Sequence, residues 1–397
     1  VVSTGVTAPL GFQAAAVASG IKPDRLDIAL VVADAGCTAA GVFTANLAKA
    51  APVLVSREHL ASGRARAIVV NAGCANAGTG EGGLADARET AEIVAQAVGC
   101  RPEEVLVAST GVIGVRLPMD RIRSGVAEAA RRISRHAGAD AARAIMTTDT
   151  KPKEVAVEFR VGDATCLVGG MAKGAGMIAP SLATMLAFFT TDAAVEPALL
   201  RRALVEAVGD SLNRITVDGD TSTNDCAFVL ASGARPARAI ENEGPDLDAF
   251  RGALTDAARQ LARMLVRDGE GVTCIAEVRV EGARTPEGAD RVARTVAESP
   301  LVKTALHGGD PNWGRVLAAV GRAGVPLDAS RVSIWIGEVQ VAEGGAARAY
   351  DEGEAAAAMR EDPVRLRIRL GEGDAAGWMW TSDFSHGYVD INAHYRS

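Results

Sequence analysis

The sequence predicts a mixed α/β (α+β) sandwich, and three observations carry that expectation. Strand-like and helix-like segments alternate along the chain, strands also occur in adjacent pairs with no helix between them, and no fixed-period repeat is present. At 397 residues the chain exceeds the usual size of one domain, so two packed lobes or one large domain are expected. Hydrophobic residues at 48% with 23% charged exclude disorder and collagen-like repeats, and aromatics at 4% imply a mostly aliphatic core.

In chain order, LDIALVVAD (26–34), AAGVFT (39–44), APVLVS (51–56) and RAIVVNAG (66–73) set β-branched residues between glycine and polar turns and read as strands. GLADARETAEIVAQAVG (83–99) carries apolar residues at helical spacing and stops on Gly99, a good C-terminal cap. VLVAST (105–110) reads as a short strand, LPMDRIRSGVAEAARRIS (117–134) as a helix with Pro118 in its first turn, and 139–146 as a second short helix. KEVAVEFRVG (153–162) alternates like a half-exposed strand, whereas 166–192 reads as a Gly-rich polar loop feeding an apolar segment without a surface face. Helices then fit 196–208, 246–268, 286–298 and 312–322, with strands near 214–217, 226–232, 272–281, 330–342, 364–370 and 376–381. The stretches 233–247 and 343–355 are the most linker-like.

A formal charge of −7 and the lack of a basic stripe interleaved with aromatics argue against a nucleic-acid partner. No run of ~18 apolar residues is present, so no membrane span is expected. The start VVSTGVTAPLGF lacks the basic and apolar regions of a targeting segment. Cys37, Cys74, Cys100, Cys166, Cys226 and Cys274 are scattered without a CxxC pair or zinc spacing, and read as reduced thiols of a cytoplasmic protein. Of 42 basic residues only six are lysines, so each lysine in a polar loop invites attention.

GGMAKGAG (169–176) resembles a phosphate loop but lacks the Gly-Lys-Ser/Thr ending. DGDTSTND (218–225) begins like a calcium loop, yet Thr223 stands where glycine is needed and Val229 where the bidentate glutamate belongs. The five histidines form no HExxH, and no metal is expected. STGVIG (109–114) follows a strand and precedes a helix, so its turn would present backbone N–H groups to an anion. Thr184, preceded by small Ala183 and eleven residues after Lys173, is a candidate self-cleavage point, because small neighbours let its oxygen reach the preceding carbonyl.

Taken together, MAKGAGMIAPSLATML (171–186), AIMTTDT (144–150), STGVIG, DGEG (268–271), LVKTALHGGDPNWGR (301–315) and YVDINAHYRS (388–397) resemble the ornithine acetyltransferase (glutamate N-acetyltransferase) family of arginine biosynthesis. GVTAPLGFQAAAVASGIK (5–22) and AGVFTANLAKAAPV (40–53) match as well, so the resemblance spans essentially the whole chain. It implies a mixed-sheet α-β-β-α sandwich core with a second, smaller C-terminal α/β lobe at roughly 240–397. It also implies self-cleavage between Ala183 and Thr184 into an α chain, 1–183, and a β chain, 184–397, with an α2β2 assembly and no cofactor.

The freed threonine would then be the nucleophile, its own α-amine, with a pKa of about 7.7–8.0, taking the hydroxyl proton. Thr184 would accept acetyl from N-acetylornithine, release ornithine, and pass acetyl to glutamate in a ping-pong cycle through an acetyl-threonine. Thr110 and Gly111 match the family's oxyanion pair, and Thr147, Lys173, Thr184, Glu270, Asn392 and Ser397 its substrate contacts. By charge, Lys173 is expected to face a substrate carboxylate and Glu270 a substrate ammonium. Alternatives are a self-processing amidohydrolase or aminopeptidase in which water replaces glutamate, an enzyme that also uses acetyl-CoA, and a non-catalytic amino-acid-binding protein that never matures.

Overall fold

A computed structural model describes residues 5–179 and 185–394. Two compact units divide them: 5–213 with Asp220–Leu265, and Arg214–Gly219 with 266–394. In chain order the strands are β1 (Phe12–Val17), β2 (Ile28–Phe43), β3 (Arg64–Cys74), β4 (Val105–Val112), β5 (Lys153–Val161), β6 (Ala164–Lys173), β7 (Leu186–Thr191), β8 (Ile215–Thr216), β9 (Cys226–Ala231), β10 (Ile275–Ala283), β11 (Ser333–Ile336), β12 (Val339–Glu343), β13 (Ala346–Ala347), β14 (Val364–Arg369) and β15 (Ala375–Ser382). The helices are α1 (Ala51–His59), α2 (Gly80–Val98), α3 (Met119–Arg131), α4 (Gly138–Ala144), α5 (Pro197–Gly209), α6 (Pro245–Arg267), α7 (Pro286–Ala297), α8 (Pro300–Gly308), α9 (Trp313–Gly321), α10 (Glu352–Ala358) and α11 (His386–His394).

Three local expectations are corrected. Residues 51–56 are not a strand but the start of α1, where Ala51, Val55 and His59 share a buried face at helical spacing. The helix has a job that a strand could not do there. Ser56 Oγ donates to Val107 O at 2.7 Å and accepts from Val107 N at 2.8 Å, while His59 Nδ1 lies 2.7 Å from Val105 O. These side chains satisfy the outer edge of β4, which ends the sheet. Second, the region 166–192 contains two strands, β6 and β7, and the glycines of GGMAK lie inside β6. A Cβ on Gly169 would stand 2.2 Å from Gly5 O, so that glycine permits close backbone approach and makes no turn. Third, STGVIG is not a strand-to-helix turn: β4 runs through Val112, and α3 begins only at Met119.

The first unit's sheet has the order β4-β3-β2-β9-β7-β6-β5, with β1 added to β2. β3–β4 and β7–β9 are parallel and the remaining pairs antiparallel, so the sheet is mixed. Along β2, alternate residues face different cores, Val31 one and Leu30 the other. Ile68, Val31, Leu106, Met171, Phe188 and Phe228 belong to the inner cluster, to which α4 contributes Ala141, Ala142 and Ala144. Because α4 touches β1 and β2 and also β5 and β6, strands distant in the sheet order, the sheet folds over on itself around this cluster. Outside it, Ala91 and Val94 of α2 and Ile122 of α3 meet Leu30, Val32 and Val69. On the other half, Phe250 of α6 packs on Phe159 of β5 with ring centroids 5.6 Å apart, and Leu261 lies over Gly170. Helix–sheet–sheet–helix layering results.

The second unit holds a mixed sheet ordered β13-β12-β11-β14-β10-β15-β8, its core filled by Val278, Val280, Ile334 and Leu366 under Val292 and Val296 of α7. The expected strand at 330–342 is broken into β11 and β12 by a turn at Gly337 (φ 57°). Helices α8, α10 and α11 were not expected. All six cysteines are free thiols. Among the described residues no helix is long and apolar enough to cross a membrane.

Candidate active site

One end of the first sheet gathers the chemistry. Lys173 is the last residue of β6 and pairs with Leu186, the first of β7, which pairs with Cys226, the first of β9, which pairs with Phe43, the last of β2. Thr110 and Gly111 lie near the end of β4. Strand ends suit such groups because the sheet fixes their backbone while their side chains leave the ladder. Gly111 is required by geometry: its φ is 129°, and a Cβ there would stand 2.3 Å from the carbonyl carbon of Gly73 on the adjoining strand. Asn224 Nδ2 fastens this corner by donating to Ala75 O at 2.6 Å and Ser109 O at 2.9 Å, and Ser109 Oγ donates to Asn71 Oδ1 at 2.6 Å.

Lys173 joins the two threonines expected at the site. Its Nζ donates to Thr147 Oγ1 at 2.6 Å and to Thr110 Oγ1 at 3.2 Å. Behind them stands Asp149, a residue that the motif AIMTTDT contains but that the sequence reading left without a role. Asp149 Oδ2 accepts from Thr147 N at 3.0 Å and lies 3.8 Å from Lys173 Nζ; Oδ1 accepts from Gly174 N at 2.7 Å and Lys153 Nζ at 2.8 Å. Burial alone would raise this carboxyl's pKa, but Lys173 and Lys153 outweigh it and hold the group well below the usual carboxylate range. Asp149 is therefore an anion that fixes both a threonine and a lysine. Lys22 tethers the same connection from below, donating to Met146 O at 2.7 Å and Ala144 O at 3.1 Å, with burial and then Arg25 pulling it down to about 8. The scarcity of lysine was the available signal, since three of the six converge on residues 144–149.

In the second unit, Glu270 and Asn392 meet: Asn392 Nδ2 of α11 donates to the largely buried Glu270 Oε2 at 2.8 Å. Asp383 braces the neighbouring backbone, accepting from Thr273 N at 2.9 Å, Thr273 Oγ1 at 2.6 Å and Cys274 N at 3.2 Å, with His307 Nδ1 at 2.9 Å. Lys303 is fully buried behind it, donating to Thr381 Oγ1 at 2.9 Å and Ser382 Oγ at 3.2 Å and lying 4.7 Å from the centre of the Phe384 ring. Burial pulls this amine down to about 7. Ala183, Thr184 and Ser397 lie outside the described residues.

Comparison with known proteins defines the class as acyltransferases of arginine biosynthesis. The sequence profile of the ArgJ family matches residues 13–397. The arginine biosynthesis bifunctional protein ArgJ of Symbiobacterium thermophilum is 50% identical over 396 residues, spanning 99% of this chain and 98% of that protein. Its namesake from Dehalococcoides mccartyi is 48% identical over 397 residues, spanning 99% and 97%. A crystal structure of the Bacillus halodurans ArgJ protein aligns with a TM-score of 0.52 at 41% identity, covering 53% of this chain and 100% of that one. The chain belongs to the ArgJ family, the ornithine acetyltransferases, and catalyses acetyl transfer in arginine biosynthesis. The hydrolase and non-catalytic readings of the sequence give way to this assignment.

Proposed function

We propose that the chain cuts itself between Ala183 and Thr184 and then moves acetyl from N-acetylornithine to glutamate by a ping-pong cycle. The observation that carries this reading is the bridge from Lys173 to Thr110 and Thr147 at the strand end where Lys173 pairs with Leu186, two residues after Thr184. The Thr184 hydroxyl adds to the acetyl carbonyl while the α-amine takes its proton; the oxyanion is received by Thr110 and the Gly111 N–H. Collapse expels ornithine with that proton and leaves acetyl-threonine. The glutamate amine then attacks the ester and regenerates the hydroxyl. Lys173 takes a substrate carboxylate, Glu270 a substrate ammonium, and Thr147, Asn392 and Ser397 complete the substrate contacts. The reading includes an α2β2 assembly of chains 1–183 and 184–397 in the cytoplasm. A solved family chain covered in full by 53% of this one supports a polypeptide that exists in two pieces.

Intact mass and N-terminal sequencing test the cleavage: two chains are expected, one beginning at Thr184, and a Thr184→Ala chain stays whole. A Thr184→Ala chain still split at that bond refutes the reading. With N-acetylornithine as donor, N-acetylglutamate is expected in place of free acetate. Because the relatives are named bifunctional, we also propose acetyl-CoA as a second donor. No N-acetylglutamate from acetyl-CoA and glutamate would remove that second reading.

A further inference from the structure

In the second unit's sheet, Val278, Val280, Ile334 and Leu366 point into the core that α7, α8, α9 and α10 close. Side chains alternate along a strand, so their neighbours leave by the opposite face. There the sequence sets Glu277, Arg279 and Glu281 on β10, Arg365, Arg367 and Arg369 on β14, Trp335 on β11, and Trp378 and Trp380 on β15. Each is half-buried or exposed, the side chains of Arg279 and Arg365 by 58% and 51%. Three of the chain's four tryptophans thus stand on one surface among arginines. These are the residue types that carry most of the binding energy where proteins meet.

The strand register says which partner. Trp335 pairs with Arg367, Arg367 with Arg279 and Arg279 with Trp378, so the central row reads the same from either end. Beside it on β14 and β10, Arg365 pairs with Glu277 on one side and Arg369 with Glu281 on the other. Such a surface matches itself. Turning a second copy by half a turn about an axis in the sheet plane, along the strands and midway between β10 and β14, lays β14 on that copy's β10 and β11 on its β15. Arg365 and Arg369 then meet Glu277 and Glu281 of the second copy, and reciprocally, while Trp335 meets Trp378. The like-charged centre, Arg367 opposite Arg279, is engaged already: Arg367 Cζ lies 4.2 Å from the centre of the Trp335 ring, and Arg279 Nε donates to Glu281 Oε1 at 3.0 Å. Nucleic acid fits worse, because a phosphate backbone would run onto Glu277 and Glu281.

We propose that this outer face is the two-fold interface through which two copies of the chain associate. The proposal rests on the α2β2 reading and gives that assembly its surface. Twisted sheets stack face to face about 10 Å apart with their strands about 30° out of line, a gap that Arg, Glu and Trp side chains from both copies fill. The tryptophans supply buried area, and the Arg–Glu contacts fix which strand lies over which.

Sedimentation of the purified enzyme tests the face. Wild type is expected at the mass of two copies. Arg365→Glu with Arg369→Glu in one variant, and Glu277→Arg with Glu281→Arg in another, set like charges opposite each other at every Arg–Glu contact across the axis. Each variant alone is expected at the mass of one copy, self-associating at least about 100-fold more weakly. Mixed in equal amounts, the two variants meet opposite charges at all of those contacts, and a pair of one copy of each is expected, which also shows that both are folded. A wild type at the mass of one copy overturns the assembly reading beneath the proposal. A wild type of two-copy mass whose variants keep that mass overturns the choice of face, and so does an equal mixture that stays at the mass of one copy.

Discussion

Replacing Asp149 by asparagine keeps the shape of the clamp and removes its charge. The wild-type carboxylate accepts from Lys153 Nζ at 2.8 Å, and the exposures of the two side chains are 0% for Asp149 and 2% for Lys153. Water does not screen such a pair, so the cost is that of leaving buried ammonium groups uncompensated, about 3–5 kcal/mol, and not the ~0–1 kcal/mol of a surface bridge. With a urea m-value of about 3 kcal/mol/M, the unfolding midpoint of the first unit should fall by roughly 1–1.7 M, measured by circular dichroism. Adding Lys153→Met should restore part of the loss, because both charges of the pair then vanish together. The charge also sets an acid dependence. The carboxyl is held below its unfolded value of about 3.9, so the unfolded chain binds more protons in acid, and the stabilisation present above about pH 4 is lost as pH falls. The asparagine variant should lack that slope. A midpoint within about 0.3 M of wild type, or a double variant whose losses simply add, refutes the reasoning.

Thr110→Ala should lower kcat about 10²-fold with a smaller change in KM, since an oxyanion contact strengthens in the transition state; unchanged kcat with raised KM would make Thr110 a ground-state binding residue. Deleting Asn392 to Ser397 removes the amide that donates to Glu270, and should leave self-cleavage intact while strongly impairing transfer, as a gel and an acetyl-transfer assay together show. Lys303 is pulled down to about 7, so the unfolded chain keeps a proton that the folded one has released, and the second unit should gain stability as pH rises from about 7 towards about 10. Lys303→Met should flatten that rise in thermal melts across the range.

Much of the fold was legible because its periodicities are long. The strands at 66–73, 105–110 and 153–162 and the helices at 83–99, 117–134 and 246–268 reappear within a few residues of their expected bounds. The misreadings share a cause: short apolar runs are ambiguous until their neighbours are known. APVLVS has strand composition, but the open edge of β4 recruits Ser56 and His59, which only a helix brings to it. GGMAKGAG looks like a loop because glycine usually turns the chain, whereas Gly169 answers to the backbone of Gly5, far away in sequence. Lys173, Thr147 and Thr110 were nameable from motifs, yet the motifs do not say that Asp149 holds two of them.

The order of the first sheet sets what a break between residues 174 and 185 does to the molecule. The piece after the break supplies the adjacent strands β9 and β7, and these are wedged between β2 and β6 of the piece before it. Neither piece contains the whole of this first sheet: drawing them apart would bare four raw edges, on β2, β9, β7 and β6, each a row of unmet amides and carbonyls. The fragments are thus held as a keystone is held in an arch, and dissociation and unfolding of this unit become the same event. Two genes, each encoding one fragment, should complement only when both products are made together.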